Sequence, residues 1–376
     1  MKKLIVFFFL VAAVGLMSLC PTGASAQPSV KIGIMGPMTG DWASEGQDMV
    51  KVIELLAAEV NEAGGINGAK VELEIGDDQG KPNTASLAAQ KLITAGVVAV
   101  VGTYGSSVTE ASQDIYDEAG VIQIGTGSTS VRLTEKGLKL FFRTCPRDDE
   151  QGRVLAANVK KLGFNKVAIV HDNTSYSKGL ADEARAIFKA DGVTEVFYDA
   201  ITAGDQDYSA TLTKIKAAAP DAIVFTGYYP EAALLLRQKH DMDWKVAMIG
   251  GDATNNSDLL VIAGQEAAAG YYFISPPALK QMTSAAAAKF SELYQSKYQS
   301  QPSSVWAVLA GDAFSVIVEA IKAVGPDSEK MAQWLKTDLK QFEGLSGPIA
   351  FNENGDRVGE VYRLYVVDSA GQFVIQ

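Results

Sequence analysis

The chain has 376 residues, 47 % of them hydrophobic, which excludes a disordered protein and exceeds what one compact core needs, so two domains are expected. A formal net charge of −11 with no basic stretch excludes nucleic acid and anionic lipid as partners. Two cysteines and two histidines leave little material for nucleophilic catalysis.

Lys2 and Lys3 precede an apolar run over 4–19, and Ala24-Ser25-Ala26 supplies the small-x-small pattern of a signal-peptidase site. Residues 1–26 therefore read as a secretory signal peptide, with export and a mature start at Gln27 expected. Cys20 offers an alternative, lipid attachment after cleavage in front of it, but Leu19 is too large for that cleavage. No later apolar segment reaches the roughly 20 residues that span a bilayer, so the mature protein is expected to be soluble. With the leader gone Cys145 is the only cysteine, which rules out an intrachain disulfide; a small buried hydrophobe is its expected role.

Strand and helix signals then alternate. An apolar strand over 30–35 is followed by a helix over 46–62, with Val50, Ile53, Leu56, Ala57 and Val60 at helical spacing and Gly64-Gly65 as a stop. A strand over 71–75, a helix over 83–94, a strand over 97–101, a helix over 108–119 and a strand over 121–124 follow. After Phe141-Phe142-Arg143 the pattern restarts, with helices over 150–162, 179–190, 208–218 and 231–240 between strands over 167–170, 196–198, 222–226 and 246–249. Repeated β-α-β units imply parallel sheets with right-handed crossovers, hence two α/β lobes, each a doubly wound parallel sheet. A strand over 271–274 reads as crossing between lobes, 285–298 and 305–324 read as helices, 344–359 is turn-rich, and 361–367 is a late strand.

Two of the apolar strands end in loops of one chemistry, Gly102-Thr103-Tyr104-Gly105-Ser106-Ser107 and Gly125-Thr126-Gly127-Ser128-Thr129-Ser130. Small hydroxyl residues at the carboxyl end of a parallel strand leave N–H and O–H donors free for an anion, where open α/β sheets bind ligands. Ser107 and Ser130 read equally well as helix N-caps.

Gly36-Pro37-Met38-Thr39-Gly40, Asn61 through Gly68, Asp77-Asp78, the two hydroxyl loops, Ile169-Val170-His171-Asp172 with Tyr176, Gly227-Tyr228-Tyr229-Pro230-Glu231 and Gly250-Gly251-Asp252 together resemble the leucine/isoleucine/valine-binding protein family. These are type I periplasmic binding proteins of amino-acid ABC importers, and the match runs over the whole mature chain. The resemblance implies two lobes joined by three hinge crossovers, 27–145 plus 276–362 and 146–275 plus 363–376, closing on one ligand. It further implies an L-amino acid as ligand, permease subunits of an ABC transporter as partners, a periplasmic, monomeric protein, and no cofactor. The α-carboxylate is expected on Ser106, Gly127 and Thr129, with Tyr104 and Ser128 of the same loops in the contact set. Asp252 is expected to pair with the α-ammonium, or, read alone, to cap a helix near 256–262. Tyr176 and Tyr228 correspond to tyrosines that close over the ligand.

Departures from the family pattern concern the ligand's side chain. Glu45 stands where an aromatic ring is often found, with Trp42 near enough to swing in, and Leu309 or Gly311 falls where a further aromatic is expected. Gly80 and Gly105 occupy the two positions of a disulfide found in some members. These changes predict a less aromatic pocket. An exported enzyme is the competing class, but no G-x-S-x-G, P-loop, G-x-G-x-x-G or H-E-x-x-H motif occurs, and His171 reads as locally hydrogen-bonded. A binding protein that signals to a membrane receptor would carry the same cleft.

Overall fold

The computed structural model describes residues 28–376; the leader expected over 1–26, the start at Gln27 and the lipidation alternative at Cys20 lie outside the described residues. The chain opens with β1 (Ser29–Gly36), α1 (Ala43–Glu62), β2 (Lys70–Asp77), α2 (Pro82–Thr94), β3 (Ala99–Val101), α3 (Ser106–Glu110), α4 (Gln113–Glu118), β4 (Ile122–Gly125), α5 (Arg132–Glu135) and β5 (Phe141–Arg143). It then crosses to α6 (Asp148–Lys161), β6 (Lys166–His171), α7 (Ser175–Asp191), β7 (Thr194–Ala200), α8 (Ser209–Ala218), β8 (Ala222–Phe225), α9 (Tyr229–Asp241), β9 (Ala247–Gly250), α10 (Asp258–Ala263), α11 (Gln265–Ala268) and β10 (Tyr272–Ser275). A return to the first lobe supplies α12 (Ala285–Tyr298), α13 (Val305–Val324), α14 (Ser328–Thr337), β11 (Phe342–Gly344) and β12 (Gly347–Ile349). The last crossing leads to β13 (Arg363–Val367) and β14 (Phe373–Ile375).

The first sheet is parallel throughout, in the order β2-β1-β3-β4-β5. In the second, β7-β6-β8-β9-β10 repeats that order and is parallel, while β13 and β14 extend it antiparallel. Parallel strands are buried on both faces, which is why Ile32, Ile34, Val100 and Val101, or Ile169, Val170, Val224 and Phe225, are apolar without a break. Each such side chain contributes about 1.5–3 kcal/mol by leaving water. Helix α1 turns Met49, Val52 and Ile53 onto the first sheet, against α13, which is apolar on all sides and buried along nearly its full length.

Both sheets reverse direction beside their first strand, between β1 and β3 and between β6 and β8. Such switch points open a crevice at the strands' carboxyl ends. The two crevices face each other, and the three crossovers at 144–147, 276–284 and 350–362 join the lobes along one side.

Several expectations are corrected here. The strand near 271–274 does not cross between lobes; it pairs with β9 and β13 inside the second sheet. The helix expected over 108–119 breaks in two, because Ser112 Oγ donates to Thr109 O and takes Gln123 Nε2. Helix α14, capped by Asp327 and turning Met331 and Leu335 inward, and the edge strand β14 were not anticipated.

Candidate functional site

The hydroxyl loops after β3 and β4 lie side by side, buried except for partly exposed Ser107 and Gly127. Thr126 N and Gly127 N donate to Thr103 O, and Ser130 N donates to Ser106 Oγ (3.2 Å). Their backbone is held from behind by Arg143, whose Nη1 donates to Ser128 O (3.2 Å) and Ser130 O (2.8 Å), Nη2 to Thr134 Oγ1 and Nε to Asp356 Oδ1 (2.6 Å). With these carbonyls drawn to Arg143, the Ser106 and Thr129 hydroxyls keep their protons unspent, and the Gly127 N–H makes only a long bond to Thr103 O (3.4 Å). Thr129 Oγ1 is buried with no partner in the chain. A Cβ at Gly127 would lie 2.6 Å from Tyr104 Cδ2, so only glycine lets that ring reach the loop. Ser128 is different: its Oγ turns back over Gly125, away from the expected contact set. Ser107 and Ser130 are not helix caps. Ser107 Oγ accepts from Ser175 N of the second lobe (2.9 Å).

Across the cleft, Asp252 follows β9 and is buried. Its Oδ2 accepts from Gln151 Nε2 (2.8 Å) and Tyr362 Oη (2.6 Å), so it does not cap the following helix. Gln151 Nε2 also donates to Asp148 Oδ1 (3.2 Å), while Asp148 N donates to Thr129 O (3.0 Å). The acid pair therefore abuts the hydroxyl loop directly. Asp148 Oδ2 is buried without a partner. Burial pushes the Asp252 carboxyl up to about 7 and Asp148 well above the usual carboxylate range, with Asp252 itself the next cause at Asp148. An anion-seeking face and a cation-seeking face thus meet at Thr129 and Asp148.

Aromatic rings wall this place. Trp42 stacks on Tyr228 (centroids 4.1 Å apart) and meets Tyr104 edge-on at 5.5 Å; Tyr176 lies 5.3 Å from Tyr228 and Trp306 lies 6.2 Å from Tyr104. Leu180, Ala253, Val305 and Leu309 complete the cluster, and Tyr104 Oη and Trp306 Nε1 are buried without partners. The expected loss of aromatic character is corrected: Trp42 swings in, over Gly80 and Gly105, where Cβ atoms would lie 2.7 and 3.0 Å from its ring. Leu309 joins the wall, whereas Gly311 packs away against Val52 and Leu345.

Glu45 does not stand over the cluster as a free acid. Its Oε1 accepts from Asn256 Nδ2 (2.7 Å) and its Oε2 from Ser304 Oγ, so it joins the lobes beside the cleft. Tyr229 Oη donates to Asp41 O (2.8 Å), and Ser175 reaches Glu110 and Arg132, so the lobes meet on both flanks and the cleft is closed. Burial pushes the Glu45 carboxyl from 4.5 up to about 8. The unfolded chain ionises this group near 4.5, so in between the folded state holds the extra proton and stability falls as pH rises. Thermal unfolding followed by circular dichroism between about pH 5 and pH 8 is expected to show a steeper fall of Tm for the native chain than for Glu45→Gln; equal slopes would refute this.

Two other sequence readings hold. His171 Nδ1 accepts from Asn173 N, and Cys145 is buried, donates to Ser128 O and has its thiol pushed up to about 12 by burial. The residues that sequence reasoning missed are Asp148, Gln151 and Tyr362. Asp148 sits in an acidic first turn that reads as an ordinary helix start, and only its burial sets it apart. Among the described residues no group of histidine, cysteine, aspartate and glutamate is arranged to hold a metal ion, and no helix is long and apolar enough to cross a membrane.

A family model described as "Periplasmic binding protein" matches residues 29–372. The Leu/Ile/Val-binding protein BraC3 of Rhizobium johnstonii is 38 % identical over 343 residues, covering 90 % of this chain and 92 % of the relative. The crystal structure of a leucine binding protein, LivK, from Thermotoga maritima superposes with a TM-score of 0.86 at 32 % identity, covering 92 % of this chain and 97 % of that one. The branched-chain amino acid transporter substrate binding protein LivJ from Streptococcus pneumoniae, in complex with isoleucine, gives 0.84 at 31 % identity, covering 93 % and 100 %.

Proposed function

Because the chain belongs to the periplasmic binding protein family, a solute-binding class rather than an enzyme class, we propose that it captures an L-amino acid, branched-chain or related, and delivers it to an ABC importer. The observation that carries this reading is the meeting of Thr129 with Asp148 and Asp252 inside one aromatic-walled cleft. A carboxylate and an ammonium on adjacent atoms of one ligand answer both faces at once. The carboxylate takes charge-assisted hydrogen bonds from Ser106, Gly127 N–H and Thr129, about twice as strong as neutral ones. The ammonium goes to Asp252 and Asp148, where an unpaired charge would be costly. Trp42, Tyr104, Tyr176, Tyr228 and Leu309 then offer the side chain an apolar surface.

Binding starts on the hydroxyl loops of the open form, and Tyr176, Tyr228 and Asp252 arrive with the second lobe; closure is driven only by contacts the open form lacks. The lobes, 27–145 plus 276–362 and 146–275 plus 363–376, hinge at the three crossovers. The closed monomer, on the periplasmic side after leader cleavage, is what the permease reads. The relatives named for leucine, isoleucine and valine support the ligand class.

A thermal-shift screen of the common amino acids tests this. At about 100 times Kd the right ligand adds about 2.7 kcal/mol and raises Tm by several degrees. A response to carboxylates that lack an ammonium, with none to amino acids, would remove the ligand class.

A further inference from the structure

On the hinge side, all three crossovers line one cavity of about 470 Å³, through Pro146, Pro276, Pro277 and Val361, and it backs onto the aromatic cluster at Val305 and Leu309. This volume lies in the roughly 300–1,000 Å³ range of small-molecule sites. Its wall has two characters. Met282, Val305, Leu309, Leu345 and Pro348 are apolar, while Arg357 and Arg363 supply positive charge and Glu343 is the single acid. Neither arginine makes an ion pair among the described residues, in a chain whose formal charge is −11.

Arg357 is the more telling of the two. Its Nη1 donates to Thr144 O (3.2 Å) and Ser346 Oγ (2.7 Å), its Nη2 to Ser346 O (3.3 Å) and Pro348 O (3.1 Å), and its Nε is buried without any partner. The nearest carboxylate, Asp312, is consumed elsewhere, accepting from Leu345 N, Ser346 N and Ser346 Oγ. Arg363 gives Nη1 to Tyr362 O (2.8 Å) and is otherwise exposed. A guanidinium bonded directly only to neutral acceptors, with Asp312 reaching it through Ser346, keeps one N–H unspent, and a carboxylate is the group that matches it.

We propose that this hinge-side cavity is a second binding site, taking a small carboxylate with an apolar tail, its head on Arg357 and Arg363 and its tail on Met282, Leu345 and Pro348. Its charged end, at Arg357 and Arg363, lies outside the cleft, while Val305 and Leu309 of its wall also belong to the aromatic cluster. Because the crossovers form its walls, an occupant there contacts both lobes.

The test is methyl NMR of the mature chain labelled with [13C-methyl]methionine, titrated with hexanoate and, as the uncharged control, hexanamide. A saturable shift of the Met282 methyl with hexanoate, absent with hexanamide, is expected. Arg363→Gln, an exposed position that leaves the Arg357 network intact, should weaken it about fivefold, the upper worth of an exposed ion pair. The double variant Ser106→Ala/Thr129→Ala should leave the shift unchanged. No shift at the solubility limit of hexanoate, an equal response to hexanamide, or loss of the shift in the double variant would overturn the proposal. The last outcome would assign hexanoate to the cleft.

Discussion

Asp252→Ala is expected to weaken amino-acid binding by about 2–5 kcal/mol, roughly thirtyfold to several thousandfold by isothermal titration calorimetry. The substitution strips the closing lobe of its charge and leaves Gln151 Nε2 and Tyr362 Oη without the acceptor they share. Asp252→Asn keeps the shape and one acceptor oxygen, so a similar loss there, with Tm retained, assigns the effect to charge rather than to packing. The native pair also predicts a pH dependence. With burial holding Asp252 at about 7 in the closed cleft, pairing with an ammonium there requires the ionised form and expels a proton below that pH. Affinity should therefore fall as pH drops below about 7, and heats measured in buffers of different ionisation enthalpy should report proton release. Unchanged affinity in Asp252→Ala would sink the ammonium assignment.

Arg143→Met should be the most destabilising single change in the hinge region. Arg143 is fully buried, and its Asp356 partner is almost so. Burial pushes the Asp356 carboxyl up, and Arg143, with Thr134 and Arg147, outweighs this and holds it below the usual range. Removing the guanidinium takes the buried cation from Asp356, leaving it only the partly exposed Arg147 (3.2 Å) and Thr134, and strips the carbonyls of Ser128 and Ser130 of their charged donor, for a loss of about 3 kcal/mol. The urea midpoint, followed by circular dichroism, should drop accordingly, and Arg143→Met/Asp356→Leu should recover part of it, because replacing both partners costs less than orphaning one. A midpoint equal to that of the native chain would show that the pair is dispensable.

Much of this architecture was legible because parallel strands buried on both faces are written as unbroken apolar runs, and glycine-hydroxyl loops mark where such strands stop. The hydroxyl loops were found that way and Asp252 through the family resemblance, and the structure sets them around one closed cleft. What escaped the sequence depends on distant partners. Asp148 looks like any acid in a first helical turn until Gln151 and Asp252 are placed beside it. Ser107 reads as a cap, yet its hydroxyl serves Ser175 in the other lobe, 68 residues away. Strand β14 is a three-residue, largely exposed edge strand, which gives no apolar run to detect. Glu45 looked like a pocket acid because nothing local indicates that Asn256 and Ser304 will enclose it.

The indole of Trp42 rests on Gly80 and Gly105 with one side and on Tyr228 with the other. Any side chain at either glycine would tilt the ring and carry the disturbance to a residue of the opposite lobe. Substitutions at these positions are therefore not independent. A methyl group at residue 105 harms the native chain through Trp42, and the same methyl group should be nearly silent once Trp42 has been made small. The three positions are coupled through one ring, and a double-mutant cycle over residues 42 and 105 measures that coupling.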